Sequence, residues 1–387
     1  SRLDPGAVVD DCVIREKLGE GGMGTVYLGH QISLDRRAAI KILHENFAEN
    51  ETFIRDFISE ARSAARLNHP GIVQAYAVGE DDGIYYFVME YVEGTTLKQV
   101  IVHGGRIVVD RALAIAADIC KALDFAWTKQ QLVHRDIKPE NIILNSEGQT
   151  KLADLGLARV VSDIRDEENG TLFGTPQYIS PEQLRGEPGD NRSDIYSLGA
   201  TLYYALSGRY PFSGSNPAET ARKHLTDPVV PLAESVPDIK EPVSHLVQVM
   251  MSKSPDLRYQ SARELEEDIE RVRNGGIPAH PLSRKSQAPV DHVGTTRVAE
   301  EAEDAVRAEP LGEAPAVFVA AADESEEDGG DEEATPLKLS LAVDDEEEDG
   351  DAEAVALAEI VLDEDDEAES GEGHTLRQVR MVVSVFV

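Results

Sequence analysis

The chain of 387 residues holds 73 aspartates and glutamates against 37 lysines and arginines, a formal net charge of −36 at pH 7. Residues 283–387 contribute 31 of the acidic residues and only 7 of the basic ones. This balance argues against a surface that binds nucleic acid or anionic membranes. The sequence has no apolar run of the roughly 20 residues that a membrane helix needs. Because Cys12 and Cys120 fit no disulfide or metal spacing, we expect a reduced, cytoplasmic protein.

Residues 12–44 alternate between apolar and polar positions around a glycine cluster, which predicts a β-hairpin followed by a third strand. Gly19, Gly21 and Gly24 form a G-x-G-x-x-G motif. The motif leads into a predicted strand, whereas in dinucleotide-binding folds it leads into a helix. Because glycine has no side chain, the backbone N–H groups of such a loop can close over phosphates. The alternative is a glycine-rich hairpin without a ligand.

Lys41 lies in an apolar predicted strand, where a charge is costly unless it is paired. Glu60 follows on an amphipathic helix, which is indicated by apolar residues such as Phe53 and Phe57 at helical spacing. A Lys–Glu pair between strand and helix would aim the ammonium group at the phosphates of a nucleotide. The alternative is that both residues are unpaired surface charges.

Residues 72–92 read as two strands around a turn, and the second strand runs into residues 90–94. We expect residues 90–94 to form a hinge between two lobes. Its backbone N–H and C=O groups would be offered to the adenine of the nucleotide, and Met89 would border the pocket behind it. After the hinge the periodicity becomes helical, and residues 110–127 predict one long helix.

The next stretch, residues 132–156, reads LVHRDIKPENIILNSEGQTKLADLG. Between its apolar runs it contains two acids, a lysine and an amide, namely Asp136, Asp154, Lys138 and Asn141. Carboxylate and amide oxygens at this spacing, with a lysine beside the first acid, match the catalytic and metal-binding loops of phosphoryl transfer.

With these motifs in order, residues 11–273 resemble a eukaryotic-type (Hanks-type) serine/threonine protein kinase, and LGEGGMGTVYLG and HRDIKPENI are most similar to its bacterial branch. The resemblance implies an α+β, bilobal protein-kinase fold with a β-rich N-lobe and an α-helical C-lobe. The expected organisation is an N-terminal extension (1–10), a kinase domain (11–275) made of N-lobe (11–89), hinge (90–94) and C-lobe (95–275), and a disordered acidic tail (276–387).

The resemblance also implies a role for each matching residue. Asp136 would orient the attacking hydroxyl, and Lys138 would neutralise charge on the transferred phosphoryl group. Asn141 and Asp154 would bind Mg²⁺, for which Mn²⁺ could substitute, and Lys41 with Glu60 would complete the catalytic set. The implied ATP-binding residues are Leu18, Gly19, Glu20, Gly21, Gly22, Met23, Gly24, Val26, Ala39, Lys41, Met89, Glu90, Val92 and Ile143.

The chain departs from the family pattern at three places, none of which removes a catalytic group. Leu155 replaces the commoner phenylalanine and can fill the same apolar slot. Ala38 stands where valine is usual, and Ser180 replaces the alanine of Ala-Pro-Glu. We expect Glu182 to keep its pairing with a distant arginine, for which Arg258 is the best match.

The segment between Asp154 and Glu182 is polar and acidic, and it contains the predicted regulatory site Thr171. A phosphate on Thr171 could pair with Arg135 and order the loop, and the alternative is an unmodified hydroxyl. The resemblance implies that Thr175 hydrogen-bonds the catalytic acid and lysine within a substrate platform. It further implies that Asp194 supports the backbone of the catalytic loop from below.

The acidic tail contains three similar units in which an apolar run precedes an acidic one: AVFVAAADESEED, LSLAVDDEEEDGD and LAEIVLDEDDEAE. One interpretation is a set of short docking segments for partner proteins. The other is a solubilising disordered tail, since such a composition buries too little apolar surface to offset its ordering entropy.

These observations predict a non-specific serine/threonine protein kinase of bacterial signalling type. It would transfer the γ-phosphoryl group of ATP to protein hydroxyls after activation-loop autophosphorylation. The Lys138-Pro139-Glu140 run favours serine and threonine over tyrosine as acceptors. The expected partners are protein substrates, a second copy for trans-autophosphorylation and tail-docking proteins, with no nucleic acid. The alternatives are a pseudokinase-like scaffold acting through the acidic tail and a small-molecule kinase.

Overall fold

The chain divides into two units, residues 1–311 and 312–387, which are described separately. In the part of the chain that the structure describes, no helix is both long and apolar enough to span a membrane. The computed structural model describes residues 3–48, 50–154 and 176–282 and the backbone of residues 355–357 and 382–384, while side chains 46, 51, 56 and 60 lie outside the description.

The first part of the chain forms an antiparallel sheet of six strands in the order β1-β2-β3-β4-β6-β5. Side chains alternate between the two faces of a strand, so Ala39 and Leu43 of β4 belong to one apolar cluster, while Ile40 and Ile42 belong to another. Gly24 is required in β3, since a Cβ atom there would lie 2.1 Å from the Ile42 carbonyl oxygen. The strands are β1 (Val8–Val9), β2 (Cys12–Gly21), β3 (Gly24–Gln31), β4 (Arg36–Leu43), β5 (Ala75–Asp81) and β6 (Ile84–Glu90).

One face of this sheet is covered by α2 (Glu51–Ala64), which follows the short helix α1 (Glu45–Ala48). The Asn50 side chain caps α2 by accepting a hydrogen bond from the Phe53 backbone N–H at 3.0 Å. Phe53 and Phe57 are buried against the sheet, as the helical spacing predicted. Lys41 lies two residues after Ala39 in β4, so its side chain points to the same side of the sheet, the side that faces α2.

The second part of the chain is helical, and its core is built around the helix Asn191–Ser207 (α6), which is buried at every position from 193 to 206. The long helix predicted over residues 110–127 is observed as α4 (Val109–Gln130), and it buries Cys120. The helices are α3 (Leu97–Gly104), α4 (Val109–Gln130), α5 (Pro181–Leu184), α6 (Asn191–Ser207), α7 (Pro217–Thr226), α8 (Leu232–Ser235), α9 (Glu241–Met250) and α10 (Ala262–Arg273), with 3-10 turns at Pro139–Asn141 and Pro255–Leu257.

A small antiparallel sheet of β7 (Gly94–Thr96), β8 (Ile142–Asn145) and β9 (Thr150–Leu152) joins the two parts. Leu152 donates a backbone hydrogen bond to Gly71 and accepts one from Val73, each 2.9 Å long. The β-rich and helical parts are therefore linked by hydrogen bonds as well as by the chain that passes through residues 90–94.

The predicted Glu182–Arg258 ion pair is confirmed, and it lies in the interior of the helical part. The guanidinium group donates to both carboxylate oxygens, at 2.7 and 2.8 Å, and Arg258 has no exposed surface. Burial alone would raise the pKa of Glu182, but the hydrogen bonds and charge of Arg258 lower that pKa to about 2. The replacement of alanine by Ser180 leaves this pair intact.

The residues after α10 remain attached to it. Asp268 accepts hydrogen bonds from the backbone N–H groups of Ala279, at 2.8 Å, and His280, at 3.0 Å. Of the predicted tail, the structure describes residues 276–282 and two short strands, β10 (Val355–Leu357) and β11 (Val382–Ser384), which pair antiparallel. The rest of the predicted tail lies outside the described residues.

The lowered pKa of Glu182 predicts a pH dependence of stability. A carboxyl whose pKa is about 2 when folded and 4.5 when unfolded stabilises the fold above pH 4.5, and this contribution is lost as the pH falls toward 2. Between pH 5 and pH 3, the free energy of unfolding of the wild type should therefore fall by about 2 kcal/mol more than that of Glu182→Gln. Urea denaturation at several pH values measures the difference, and parallel curves for the two proteins would contradict the assignment.

Candidate active site

The loop that carries Asp136 is held by a carboxylate from the core of the helical part. Asp194, buried in the first turn of α6, accepts hydrogen bonds from the backbone N–H groups of His134 and Arg135, both 2.8 Å long. Arg135 has a φ of +67°, a conformation that a non-glycine residue adopts only when its surroundings impose it. The predicted support from Asp194 is therefore confirmed.

His134 ties this loop to the segment that leads to Asp154. Its Nδ1 atom accepts a hydrogen bond from the Asp136 backbone N–H at 3.2 Å, so Nε2 carries the proton and donates to the Ala153 carbonyl at 2.9 Å. Both ring nitrogens are thus used within the fold. His134 positions the loop and has no nitrogen left to act as a base.

Asp136, Lys138 and Asn141 contact one another. The Lys138 ammonium lies 2.7 Å from the Asp136 carboxylate, and the Asn141 Nδ2 atom donates to the same carboxylate at 3.0 Å. Because Asn141 uses its nitrogen for these bonds, its Oδ1 atom is left to accept. The backbone N–H of Ala153 donates to the Asn141 carbonyl at 2.8 Å, which brings Asp154 next to this cluster.

Asp154 is paired with Lys41 across the two parts of the chain. The ammonium lies 2.9 Å from Asp154 Oδ2, while Oδ1 is buried and has no hydrogen-bond partner among the described residues. Burial alone would raise the pKa of Asp154, but the charge of Lys41 outweighs it and lowers the pKa. A charged carboxylate oxygen without a donor among the described residues suits a hard divalent cation, and the amide oxygen of Asn141 is a ligand of the same chemical type.

Glu60, the predicted partner of Lys41, lies in α2, and its side chain is outside the described residues. The predicted regulatory residues Thr171 and Thr175, and Leu155, also lie outside them.

The predicted nucleotide-binding residues are distributed over β2, β3, β4, β6 and β8 and the segments next to them. In β4, Ala39 lies opposite Met89 of β6, and Val26 of β3 lies opposite Lys41. Met23 and Val26 pack on the apolar cluster that contains Ala39 and Met89, so these residues form one apolar wall. Gly19, Glu20, Gly21 and Leu18 lie in β2, Gly22 and Met23 in the turn, Gly24 in β3, Glu90 at the end of β6, Val92 just beyond it and Ile143 in β8.

Sequence reasoning missed the residues that hold the hinge and the loop in place. Lys151 of β9 forms an ion pair with Glu90 at 2.8 Å, and the Gln74 backbone N–H donates to the Glu90 side chain at 3.1 Å. Gln183 donates to the Arg135 carbonyl at 3.0 Å. No periodicity marks these residues, because their contacts depend on how the chain folds back on itself.

Comparison with known proteins gives consistent results. The family described as "Protein kinase domain" matches residues 12–268. The serine/threonine-protein kinase PknB of Mycolicibacterium smegmatis is 39% identical over 283 residues, which cover 72% of this chain and 45% of that protein. The serine/threonine-protein kinase PrkC of Bacillus subtilis is 42% identical over 252 residues, which cover 65% of this chain and 39% of that protein.

Among solved structures, the kinase domain of Mycobacterium tuberculosis PknI superposes with a TM-score of 0.57 at 28% identity. The match covers 70% of this chain and 99% of that domain. In contrast, the chain spans less than half the length of the curated relatives PknB and PrkC.

The support from Asp194 predicts a local change in backbone dynamics. In Asp194→Asn, one carboxylate acceptor becomes an NH₂ group, so one of the two hydrogen bonds from His134 and Arg135 is lost. A hydrogen bond to a charged group contributes about 1.5–3 kcal/mol, so its loss corresponds to roughly 10- to 150-fold faster amide exchange. Hydrogen–deuterium exchange at residues 134 and 135 measures it. Asp110→Asn, at the exposed start of α4, should leave this exchange unchanged, and equal exchange in all three proteins would contradict the prediction.

Proposed function

Because the chain belongs to the protein kinase domain family, on its bacterial serine/threonine branch, we propose that it transfers the γ-phosphoryl group of ATP to serine and threonine hydroxyls of proteins. The observation that carries the proposal is the contact of Asp136, Lys138 and Asn141 beside the Lys41–Asp154 pair. The family uses ATP and a divalent cation, and the oxygen ligands of Asn141 and Asp154 favour Mg²⁺, with Mn²⁺ as a substitute.

In the proposed mechanism, Asp136 receives a hydrogen bond from the acceptor hydroxyl and takes its proton as the oxygen bonds to the γ-phosphorus. The bond from the γ-phosphorus to the bridging oxygen breaks, and ADP leaves with the electron pair. Lys138, which is already 2.7 Å from the Asp136 carboxylate, balances the charge on the transferred group. A bound divalent cation would supply further charge neutralisation at the phosphates.

Nucleotide binding then requires an exchange of ionic partners. Lys41 and Asp154 are both largely buried and neutralise each other at 2.9 Å. When ATP and the cation bind, Lys41 would turn to the phosphates and Asp154 to the cation, so that neither buried charge is left unpaired. The apolar wall of Val26, Ala39 and Met89 would cover the adenine ring.

Regulation by the segment after Asp154 forms part of the same proposal. Arg135, whose backbone is fixed by Asp194 and Gln183, would receive a phosphate on Thr171. Thr175 would then bond Asp136 and Lys138 in the substrate platform. Self-association would allow one copy to phosphorylate the other.

Asp136→Asn should lower protein phosphorylation by about 10²- to 10⁴-fold, because the acceptor hydroxyl loses its proton acceptor. Lys41→Met should lower it by at least about 10²-fold through loss of the phosphate contact. Transfer of labelled phosphate from Mg·ATP to a generic protein substrate measures both, and the surface variant Lys121→Met serves as control. Near-wild-type activity in Asp136→Asn would refute the mechanism. If ATP is hydrolysed, or its phosphate is transferred to small molecules, without labelling of protein, the small-molecule kinase is favoured. If the wild type is completely inactive, the pseudokinase-like scaffold is favoured.

Incubation of the purified wild type with Mg·ATP should place a phosphate on Thr171, and the Asp136→Asn variant should carry none. Thr171→Ala should then lower activity at least tenfold if the phosphate orders the segment. Mass spectrometry locates the phosphate, and a fully active Thr171→Ala variant would rule out this form of control.

A further inference from the structure

The side chain of Lys98, at the start of α3, is partly buried and contacts two aromatic rings and a carboxylate. Its ammonium group donates to the Tyr210 hydroxyl at 2.9 Å and lies 4.8 Å from the centre of the Tyr204 ring. The nearer carboxylate oxygen of Glu140 is 3.6 Å away. We call Glu140, Tyr204 and Tyr210 the cation cage.

The cage is assembled by the tertiary structure and not by the helix that carries Lys98. Glu140 comes from the 3-10 turn, Tyr204 from α6 and Tyr210 from the segment after it. The rings of Tyr204 and Tyr210 are stacked, with centres 4.7 Å apart and planes 10° apart, and Tyr178 meets Tyr210 edge-on at 6.0 Å. This arrangement presents aromatic faces beside a carboxylate, which suits an ammonium or guanidinium group.

The electrostatics agree with a cage that favours a cation. Burial acts to lower the pKa of Lys98, but the hydrogen bond with Tyr210 and the charge of Glu140 outweigh it and raise the pKa. The second carboxylate oxygen of Glu140 is buried and has no hydrogen-bond partner in the described part of the chain. The cage therefore has one acceptor that Lys98 leaves unused.

The cage also lies within reach of a bound peptide. Glu140 follows Asp136 by four residues, which can span at most about 14 Å, and its neighbour Asn141 is hydrogen-bonded to Asp136. An extended peptide advances about 3.3 Å per residue. If its acceptor hydroxyl is at Asp136, residues two to four positions away can place their side chains at the cage.

We propose that Lys98 fills, from within the chain, the subsite in which a substrate would place a basic side chain, and so makes the enzyme select against arginine and lysine near the target hydroxyl. This inference rests on the proposed function. A substrate cation would have to displace Lys98 or remain beside its like charge, and both are unfavourable. Uncharged and acidic residues meet a Glu140 carboxylate that is already neutralised.

The test compares peptides that carry arginine or alanine at each position up to four residues from the target threonine. Wild type and Lys98→Arg should show an arginine-to-alanine ratio of kcat/KM at or below one at every position. Lys98→Met, which removes the charge and keeps the length, should raise this ratio roughly tenfold at one or more positions, as expected for a cation between an aromatic face and a carboxylate. Lys98→Met combined with Glu140→Gln should bring the ratio back toward one.

Because each ratio is taken within one protein, a general loss of activity cancels. Lys121→Met, which removes a half-exposed lysine on α4, should keep the wild-type ratios. If Lys98→Met does not fold, Lys98→Gln tests the same charge, and heat denaturation reports which variants are folded. Unchanged ratios in a folded, active neutral variant, or a wild type that already prefers arginine, would overturn the inference. A wild type that phosphorylates neither peptide nor protein would instead refute the proposed function.

Discussion

The structure depends on one buried carboxylate. Asp194 accepts hydrogen bonds from the backbone N–H groups of His134 and Arg135. The Ser193 hydroxyl beside it donates a hydrogen bond to Glu182 at 2.6 Å. The loop that carries Asp136 and the Glu182–Arg258 pair are thus both hydrogen-bonded to the first turn of α6. That helix is buried from residue 193 to residue 206, so it can move only if the core of the helical part moves with it. A rigid reference of this kind suits a reaction in which the protein contributes mainly positioning and electrostatics.

Charge neutrality is a second constraint on the site. Lys41 with Asp154 and Lys138 with Asp136 form two internal ion pairs, so the groups proposed to handle the phosphates already neutralise one another. Lys98 repeats the arrangement on the substrate side by neutralising Glu140. Each of these charges has a partner that a ligand must replace. Selectivity can then arise from which ligands offer an equivalent partner.

Much of the fold and of the site could be predicted from the sequence, because the patterns that indicate them lie within short stretches of the chain. The β-hairpin, the amphipathic α2 and the long α4 follow from periodicity, and Asp136, Lys138 and Asn141 lie within six residues of one another. The partners of Glu90 and Lys98 could not be predicted, because Lys151 and Tyr210 reach them only through the tertiary fold and occupy positions with no distinctive pattern. The Glu182–Arg258 pair was predictable across 76 residues only through the family resemblance.

The hydrogen bonds of Leu152 with Gly71 and Val73 have a consequence for motion between the two parts of the chain. Together with the Lys151–Glu90 ion pair beside the hinge, they form a pivot line for any rotation of the sheet over the helices. Displacement in a rotation grows with distance from its axis. Asp154, two residues beyond Leu152, lies near the axis and would shift little. The glycine turn between β2 and β3 would shift more, because it lies at the end of the sheet away from Glu90. Such a rotation would open and close the cleft proposed to hold the phosphates, while the Asp154 carboxylate, which we propose as a cation ligand, would stay nearly in place.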